Sequence, residues 1–419
     1  MGIIGRIFLR LSKNVKFYMK GVFKILTEII NQCSLVFKSK YKWMLLLFIL
    51  WVLRVSCIPA DIGGIARVLQ IVTILGMLYY AMRFRKFSIC IALFKTKSPN
   101  VTLACFLLLA LISTFWSYVP MMTFFMAFEK LSFMIIFYAL FSQCYTFQSA
   151  ERLFVYLMVG LLVINGIVSR IMGYQPFVGH DLQQGSCAAM CFSYCCGEFF
   201  AKKINDRERY TMLKGAILIS LLFLIISTSG GANVSAALGF CVALFMSRKF
   251  GWGLLLFIFC SAVYFFNDLG KDIFNFLMAG KSESDIISST GRTSIWSVVD
   301  ELGKQKPLFG WGYAALERYI TDKSIMSLTD LHSNFYGAYG NLGLVGLGFL
   351  IIHHISAICF TFCKTMKPGY VGLLCAICCG TLNGYSYGFL VGKTAIISSV
   401  YIAILMMTYI YSKIRFYSK

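Results

Sequence analysis

Leu344–Phe360 reads LVGLGFLIIHHISAICF, a run without a single Asp, Glu, Lys or Arg. With its apolar flanks it reaches the roughly 20 residues that a helix needs to cross about 30 Å of hydrocarbon. Comparable runs recur through the chain, centred near Ile49, Ile74, Leu109, Ile135, Leu161, Phe192, Leu222, Leu238, Phe257, Leu350, Ile377 and Met406. Lipid offers no partner to backbone N–H and C=O groups, and the runs are too long and uninterrupted for barrel strands, so they must be helices. With 59% hydrophobic residues, 13% charged residues and a mean hydropathy of +0.76, the chain is expected to be an all-α polytopic membrane protein of about twelve transmembrane helices.

Next to the quoted run, on its N-terminal side, lies the one long polar interruption, from Phe266 to Gly337. The expected organisation is therefore a segment 1–42, nine spans over 43–266, a large loop over 267–337, three spans over 338–412 and a tail over 413–419. The loop holds the densest collection of reactive side chains, which makes it the place to look for function.

The chain carries 39 Lys and Arg against 17 Asp and Glu, a formal net charge of +22. So basic a balance suits either nucleic acid or an anionic membrane face, and its distribution decides for the membrane. Arg83, Arg85, Lys86, Lys95 and Lys97 form one cluster, and Lys202, Lys203, Arg207, Arg209 and Lys214 a second. Arg248 with Lys249, Lys364 with Lys367, and Lys413, Arg415 and Lys419 follow, in segments that alternate with the apolar runs. All fall on one side if the N-terminus is cytoplasmic, as the positive-inside rule expects. Residues 267–337 fall on the other, with seven Lys or Arg against nine Asp or Glu and a net charge of −2. Both termini are thus expected in the cytoplasm and the long loop outside it, with no role for nucleic acid.

Residues 1–42 hold nine Lys or Arg and one acid, with Ile4, Phe8, Leu11, Val15, Tyr18, Val22, Leu26 and Ile29 at helical spacing. This predicts a basic amphipathic helix on the bilayer surface, a solvated tail being the alternative. No compact apolar core with a small-residue cleavage site follows, so a cleaved signal is not expected. Of the sixteen cysteines, those such as Cys187, Cys191, Cys195, Cys196, Cys375, Cys378 and Cys379 sit in apolar runs, and the long loop has none. They read as packing material rather than disulfide partners. Cys375-x-x-Cys378 lacks a second ligand pair, so no metal centre is expected. Gly310-Trp311-Gly312-Tyr313-Ala314-Ala315 has no preceding strand and reads as a turn rather than a dinucleotide fingerprint. Gly392-Lys393-Thr394 has Tyr387 where a phosphate loop needs glycine.

Several motifs follow one another in order. Gly291-Arg292-Thr293-Ser294-Ile295-Trp296 precedes Lys306-Pro307-Leu308-Phe309-Gly310-Trp311-Gly312-Tyr313, and then comes Leu331-His332-Ser333-Asn334 with Gly340-x-x-Gly343-x-x-Gly346 entering the quoted span. Upstream stand Phe115-Trp116-Ser117-Tyr118-Val119-Pro120 and Gly179-His180 with Gly185. Over roughly residues 100–360 this order resembles the bacterial O-antigen ligases and the Wzy-type O-antigen, capsule and exopolysaccharide polymerases.

The resemblance implies a GT-C-like membrane glycosyltransferase at the outer face of the bacterial inner membrane. It implies a polyprenyl-diphosphate-linked glycan donor, a sugar hydroxyl acceptor, inversion at the anomeric carbon, and neither cofactor nor metal. A loop histidine titrates near neutral pH and can take or share the acceptor's proton. The resemblance assigns this to His332, and a positioning role fits the sequence equally. A leaving diphosphate needs fixed positive charge, for which Arg292 has a suitable planar fork; pairing with a loop acid is its bland alternative. Trp296 and Tyr313 either stack on sugar faces or anchor the loop at the interface. Asn334 belongs to the histidine motif. His180 is divided between substrate contact and loop structure, since Asp181 and Leu182 follow where relatives often have Lys and Asn.

One departure stands out. Relatives show a basic residue after a Ser-x-Ser start, whereas this chain reads Ser227-Thr228-Ser229-Gly230-Gly231-Ala232. Ser227 and Ser229 with the freed glycine amides could contact phosphate, and Arg170, Lys393 and Lys130 are the cations placed to substitute. The non-basic stretch and Trp116-Ser117 lean toward a polymerase, whose acceptor would be a second lipid-linked repeat, over a ligase acting on lipid A-core. A chain-length regulator is the partner such polymerases imply. An oligosaccharide-lipid transporter is the alternative from another class, against which stand the lack of a clear internal repeat and the few charges at mid-membrane, chiefly Glu129 and Lys130.

Overall fold

The computed structural model describes residues 42–57, 63–85, 99–144, 146–171, 181–201, 206–227, 229–248, 251, 292–328, 330–392 and 396–413. Among them every regular element is helical. These are α1 (Lys42–Cys57), α2 (Gly63–Arg85), α3 (Pro99–Ile112) with a 3-10 turn over Ser113–Phe115, α4 (Pro120–Phe141), α5 (Phe147–Ile171), α6 (Asp181–Ala201) and α7 (Arg207–Ile226). There follow α8 (Gly230–Met246), α9 (Arg292–Gln305), α10 (Leu316–Asp322), α11 (Asn334–Phe362), α12 (Tyr370–Ser386) and α13 (Ile396–Lys413).

Every expected span centre falls on one of these helices except Phe257, which lies outside the described residues, as do residues 1–41, 252–291 and 414–419. Among the described residues, five segments are by length and apolarity sufficient to cross a membrane: Pro120–Phe141, Phe147–Ile164, Arg207–Ile226, Asn334–Phe362 and Ile396–Lys413. α3, α8 and α12 are apolar but shorter. Local chemistry sets the ends. Pro120 opens α4 at its first turn, where a missing N–H costs nothing. Asp206 caps α7 by accepting from the Glu208 and Arg209 amides at 2.9 and 3.4 Å. Ser229 caps α8 and Ser333 caps α11 in the same way,.

The bundle has two distinct ends. At one, Arg209 of α7 grips Glu151 of α5 with both Nε and Nη2, at 2.6 and 2.7 Å, and reaches Glu198 of α6 at 2.7 Å. Glu198 in turn accepts from the Gly369 and Gly372 amides at the start of α12, at 3.0 and 2.8 Å, where the helix dipole favours a carboxylate. Tyr194 of α6 completes the fastening by meeting Tyr411 of α13 at 2.8 Å. Arg207, Arg248, Lys364, Lys367 and Lys413 lie at this end, by the helix termini that carry them. The segments of the ordered motifs gather at the other.

Within the spans, Glu129 and Lys130 do not pair with each other. Adjacent helical residues point about 100° apart, and Glu129 accepts from Trp51 Nε1 and Gln70 Nε2 at 2.9 and 2.7 Å, tying α4 to α1 and α2. Lys130 turns to the opposite partner set described next.

Candidate functional site

The motif loop is folded onto a break in α11. Gly343 has φ 67° and ψ −164° inside that helix, a conformation open almost solely to glycine. The break turns two α11 amides outward, so that Leu344 N–H donates to Pro307 O at 2.8 Å and Val345 N–H to Leu308 O at 3.2 Å. The chain then passes Gly310 (φ 64°) and Gly312 (φ 102°), while Trp311 N–H and Gly312 N–H donate to the carbonyls of Gly340 and Asn341 at 3.2 and 2.8 Å. The Asn341 side chain accepts from the Ala315 and Leu316 amides at 3.1 and 2.9 Å, starting α10. The expected turn at Gly310–Ala315 is thus present, and its glycines are needed because Gly310 lies against the α11 backbone at Asn341 and Leu342 while Gly312 lies against Ser117.

The upstream tryptophan-serine loop docks on the same turn. Trp116 Nε1 donates to Phe309 O at 3.0 Å, Tyr118 N–H to Trp311 O at 3.1 Å, and Thr123 Oγ1 to Tyr313 O at 2.7 Å. Ser113 Oγ accepts from Tyr313 N–H at 2.9 Å. Motifs nearly 200 residues apart therefore form one surface. A small second core of Val299, Leu302, Trp311, Leu316, Ile320 and Leu331 lies beneath it.

α9 is laid across this platform by Trp296. Its indole donates to Leu331 O at 3.2 Å, stacks on Tyr336 with ring centroids 4.7 Å apart, and meets Tyr385 edge-on at 5.4 Å. Arg292, four residues earlier, shares that helix face and is brought to the histidine loop. Burial draws the Arg292 guanidinium pKa down, and the Asp330 carboxylate opposes the shift. Trp296 is buried and ring-stacked, and Tyr313 is fully buried, so neither ring lies exposed as a platform for sugar stacking.

The histidine loop is itself strained. His332 has φ 53°, and Asp330 Oδ1 accepts its N–H at 3.2 Å. Asn334 Oδ1 accepts from Leu390 N–H at 2.7 Å, fixing the turn after α12 to the start of α11. Beneath that turn the fully buried Lys130 donates to Gly392 O at 2.7 Å and to the Tyr313 hydroxyl at 2.8 Å, and the Tyr313 hydroxyl donates to Leu390 O. Of the three cations placed to substitute for the missing basic residue, Lys130 reaches this end of the bundle. Lys393 lies outside the described residues, as does the Arg170 side chain on α5.

Asp330, which no sequence signal singled out, is where these parts meet. Burial raises its carboxyl above the usual range, against the lowering effects of His332, the His332 and Leu331 amides, and Lys130. Arg292 and Tyr387 feel its charge in turn. Burial holds the Tyr387 phenol well above its ordinary value, and its side chain bonds Gln183 on the first turn of α6. That turn directly follows His180, which lies outside the described residues. Ser227 and Ser229 occupy the adjoining turn between α7 and α8, where Ser227 Oγ donates to Leu224 O at 2.9 Å and Ser229 caps α8. The structure thus unites Arg292, His332, Asn334, Trp296 and Tyr313 in one assembly, with the serines serving helix ends at its flank.

No curated protein gives a significant match to the chain. A family model described as O-antigen ligase matches residues 215–351, about a third of the chain, from within α7 through most of α11. The matched stretch contains Ser227, Ser229, Arg292, Trp296, Tyr313, His332 and Asn334, and by it the chain is consistent with the O-antigen ligase/polymerase superfamily.

Proposed function

We propose that the protein is an inverting, metal-independent glycosyltransferase of the bacterial inner membrane that polymerises polyprenyl-diphosphate-linked oligosaccharide repeats into a surface polysaccharide. The observation that carries this reading is the convergence of Arg292 and His332 on Asp330, at the end of the bundle opposite the basic residues Arg207, Arg248, Lys364 and Lys413. By the positive-inside rule that end faces the periplasm and both termini the cytoplasm. The acceptor hydroxyl forms a new bond to the anomeric carbon as its proton passes to His332. The bond from that carbon to the diphosphate oxygen breaks, and the lipid diphosphate leaves with the electron pair. Arg292 stabilises the charge that develops there, with Lys130 adding a buried positive field behind the 387–392 turn. A chain-length regulator would act on the growing product.

The family description favours a second reading, transfer of finished glycan to lipid A-core by a ligase. Purified protein in liposomes, given a lipid-linked repeat alone, should build a ladder of lengths without any energy source. Its Arg292→Ala and His332→Ala variants should lose at least about a hundredfold in rate, the usual scale for removing a general base or an oxyanion contact. No ladder from the repeat alone, with transfer to lipid A-core once that acceptor is added, would establish the ligase instead. A normal ladder from both variants would remove the site assignment.

A further inference from the structure

Asp330 lies two residues before His332 in a segment that leaves the small outer core and enters α11 through the Ser333 cap. A histidine at φ 53° carries backbone strain, and such strain persists only where surrounding groups fix it. Here the fixing group is the Asp330 carboxylate, whose Oδ1 accepts the His332 N–H at 3.2 Å. The carboxylate is in turn wedged against the turn after α12. A Cβ placed on Gly388 would lie 2.9 Å from Asp330 Oδ1, and one on Gly392 3.3 Å from it. The same turn is pinned from below by Lys130 at Gly392 O and from the side by Asn334 at Leu390 N–H. The orientation of His332 is therefore set by a carboxylate that membrane helix α4, the 387–392 turn and α11 together hold in place.

We propose that Asp330 is the positioning residue of the site, fixing the His332 backbone in its left-handed conformation and favouring the imidazolium that forms when His332 takes the acceptor's proton. The proposal rests on the glycosyltransferase reading given above. Among the described residues, the charged and titratable groups that face Asp330 are His332 itself, Lys130 from α4, Arg292 from α9 and Tyr387 from the turn after α12, with Glu317 from α10 facing Lys130 behind them. A carboxylate near an imidazole favours its protonated form. It also repels an anionic diphosphate, and this sets Asp330 apart from a residue that merely binds donor.

The test uses the full-length protein in liposomes with a polyprenyl-diphosphate-linked repeat. Asp330→Asn keeps an oxygen for the His332 amide and removes the charge. It should lower kcat by at least about tenfold, leave the donor KM unchanged or reduced, and move the acid limb of the kcat profile to lower pH. Asp330→Glu, which restores charge at a displaced position, should return the limb toward its original pH while kcat stays low. Size-exclusion elution of each variant checks that it is folded. An unshifted acid limb in a folded and active Asp330→Asn protein would overturn the proposal, and so would a rise in donor KM with kcat intact. If the unmodified protein elongates no lipid-linked repeat, the parent reading fails instead, and the two failures are distinct.

Discussion

Gly343→Ala should release the motif loop from α11 while leaving the span itself helical. The native backbone at this point, φ 67° with ψ −164°, lies where a side chain costs about 1–3 kcal/mol. The new Cβ would also sit 2.6 Å from Phe309 N and closer still to the Leu308 carbonyl. These are backbone atoms that cannot swing aside. Relief requires the Pro307–Phe309 strand of chain to withdraw, which breaks the bonds from Leu344 N–H and Val345 N–H, worth about 0.5–1.5 kcal/mol each. The total is roughly 2–6 kcal/mol, concentrated in residues 306–316 rather than spread over the bundle. In detergent-purified protein, the first thermal transition followed by tryptophan fluorescence should fall by on the order of 10 °C, because Trp116 and Trp311 report on this contact. Gly348→Ala in the same helix is the control. It has nothing within 4 Å of the new methyl and should be neutral or stabilising by up to about 1 kcal/mol. Equal midpoints for Gly343→Ala and the unmodified protein would refute the argument that the break in α11 exists to receive the loop.

Three other outcomes follow from the same geometry. Lys130→Met leaves the Tyr313 hydroxyl and the Gly392 carbonyl short of a buried donor, so it should cost about 1–3 kcal/mol in thermal stability and depress glycan elongation; unchanged stability and elongation together would show that the 387–392 turn needs no support from α4. Arg209→Ala uncovers two buried carboxylates, Glu151 and Glu198, and should destabilise by about 3–5 kcal/mol, read as loss of folded protein on size exclusion; Arg152→Ala, whose partner Glu208 is exposed, should change little and calibrates the assay. Because burial raises the Asp330 pKa, the folded state holds that proton more tightly than the unfolded state, so its stabilising contribution is present at low pH and is lost as pH rises through the raised value. Asp330→Asn should therefore match the unmodified protein in thermal midpoint at pH 4 and equal or exceed it at pH 8, and a variant less stable at pH 8 than at pH 4 relative to the unmodified protein would contradict the sign.

Much of the site was legible in the chain because its parts are local. The motif order places Arg292, Trp296 and His332 in one stretch of loop, and Gly310–Ala315 is readable as a turn; the shared α9 face of Arg292 and Trp296 and the Ser333 cap of α11 come from the structure. The helices around the expected span centres were legible for the same reason, since composition alone forces backbone bonds to be satisfied within each run. What periodicity cannot convey is which distant residues meet. Lys130 and Tyr313 are 183 positions apart, and Asp330 looks in sequence like any acid in a polar loop. Its importance comes from the turn after α12, which reads as the frayed beginning of a span. The aromatic residues were open to two readings because a tryptophan in a loop can face sugar, lipid or protein, and packing on Tyr336 decides for Trp296. The short helices α8 and α12 are both marked in the sequence by their apolar centres at Leu238 and Ile377; what the sequence does not convey is that both pack on α6.

The cluster of Arg209, Glu151, Glu198, Tyr194 and Tyr411 has a mechanical consequence. It rivets α5, α6, α7, α12 and α13 at a single level, so those helices behave like the ribs of a fan. Any sideways parting of these helices is therefore confined to the opposite end of the bundle, where Asp330 and His332 lie, and the gap opens widest beside them.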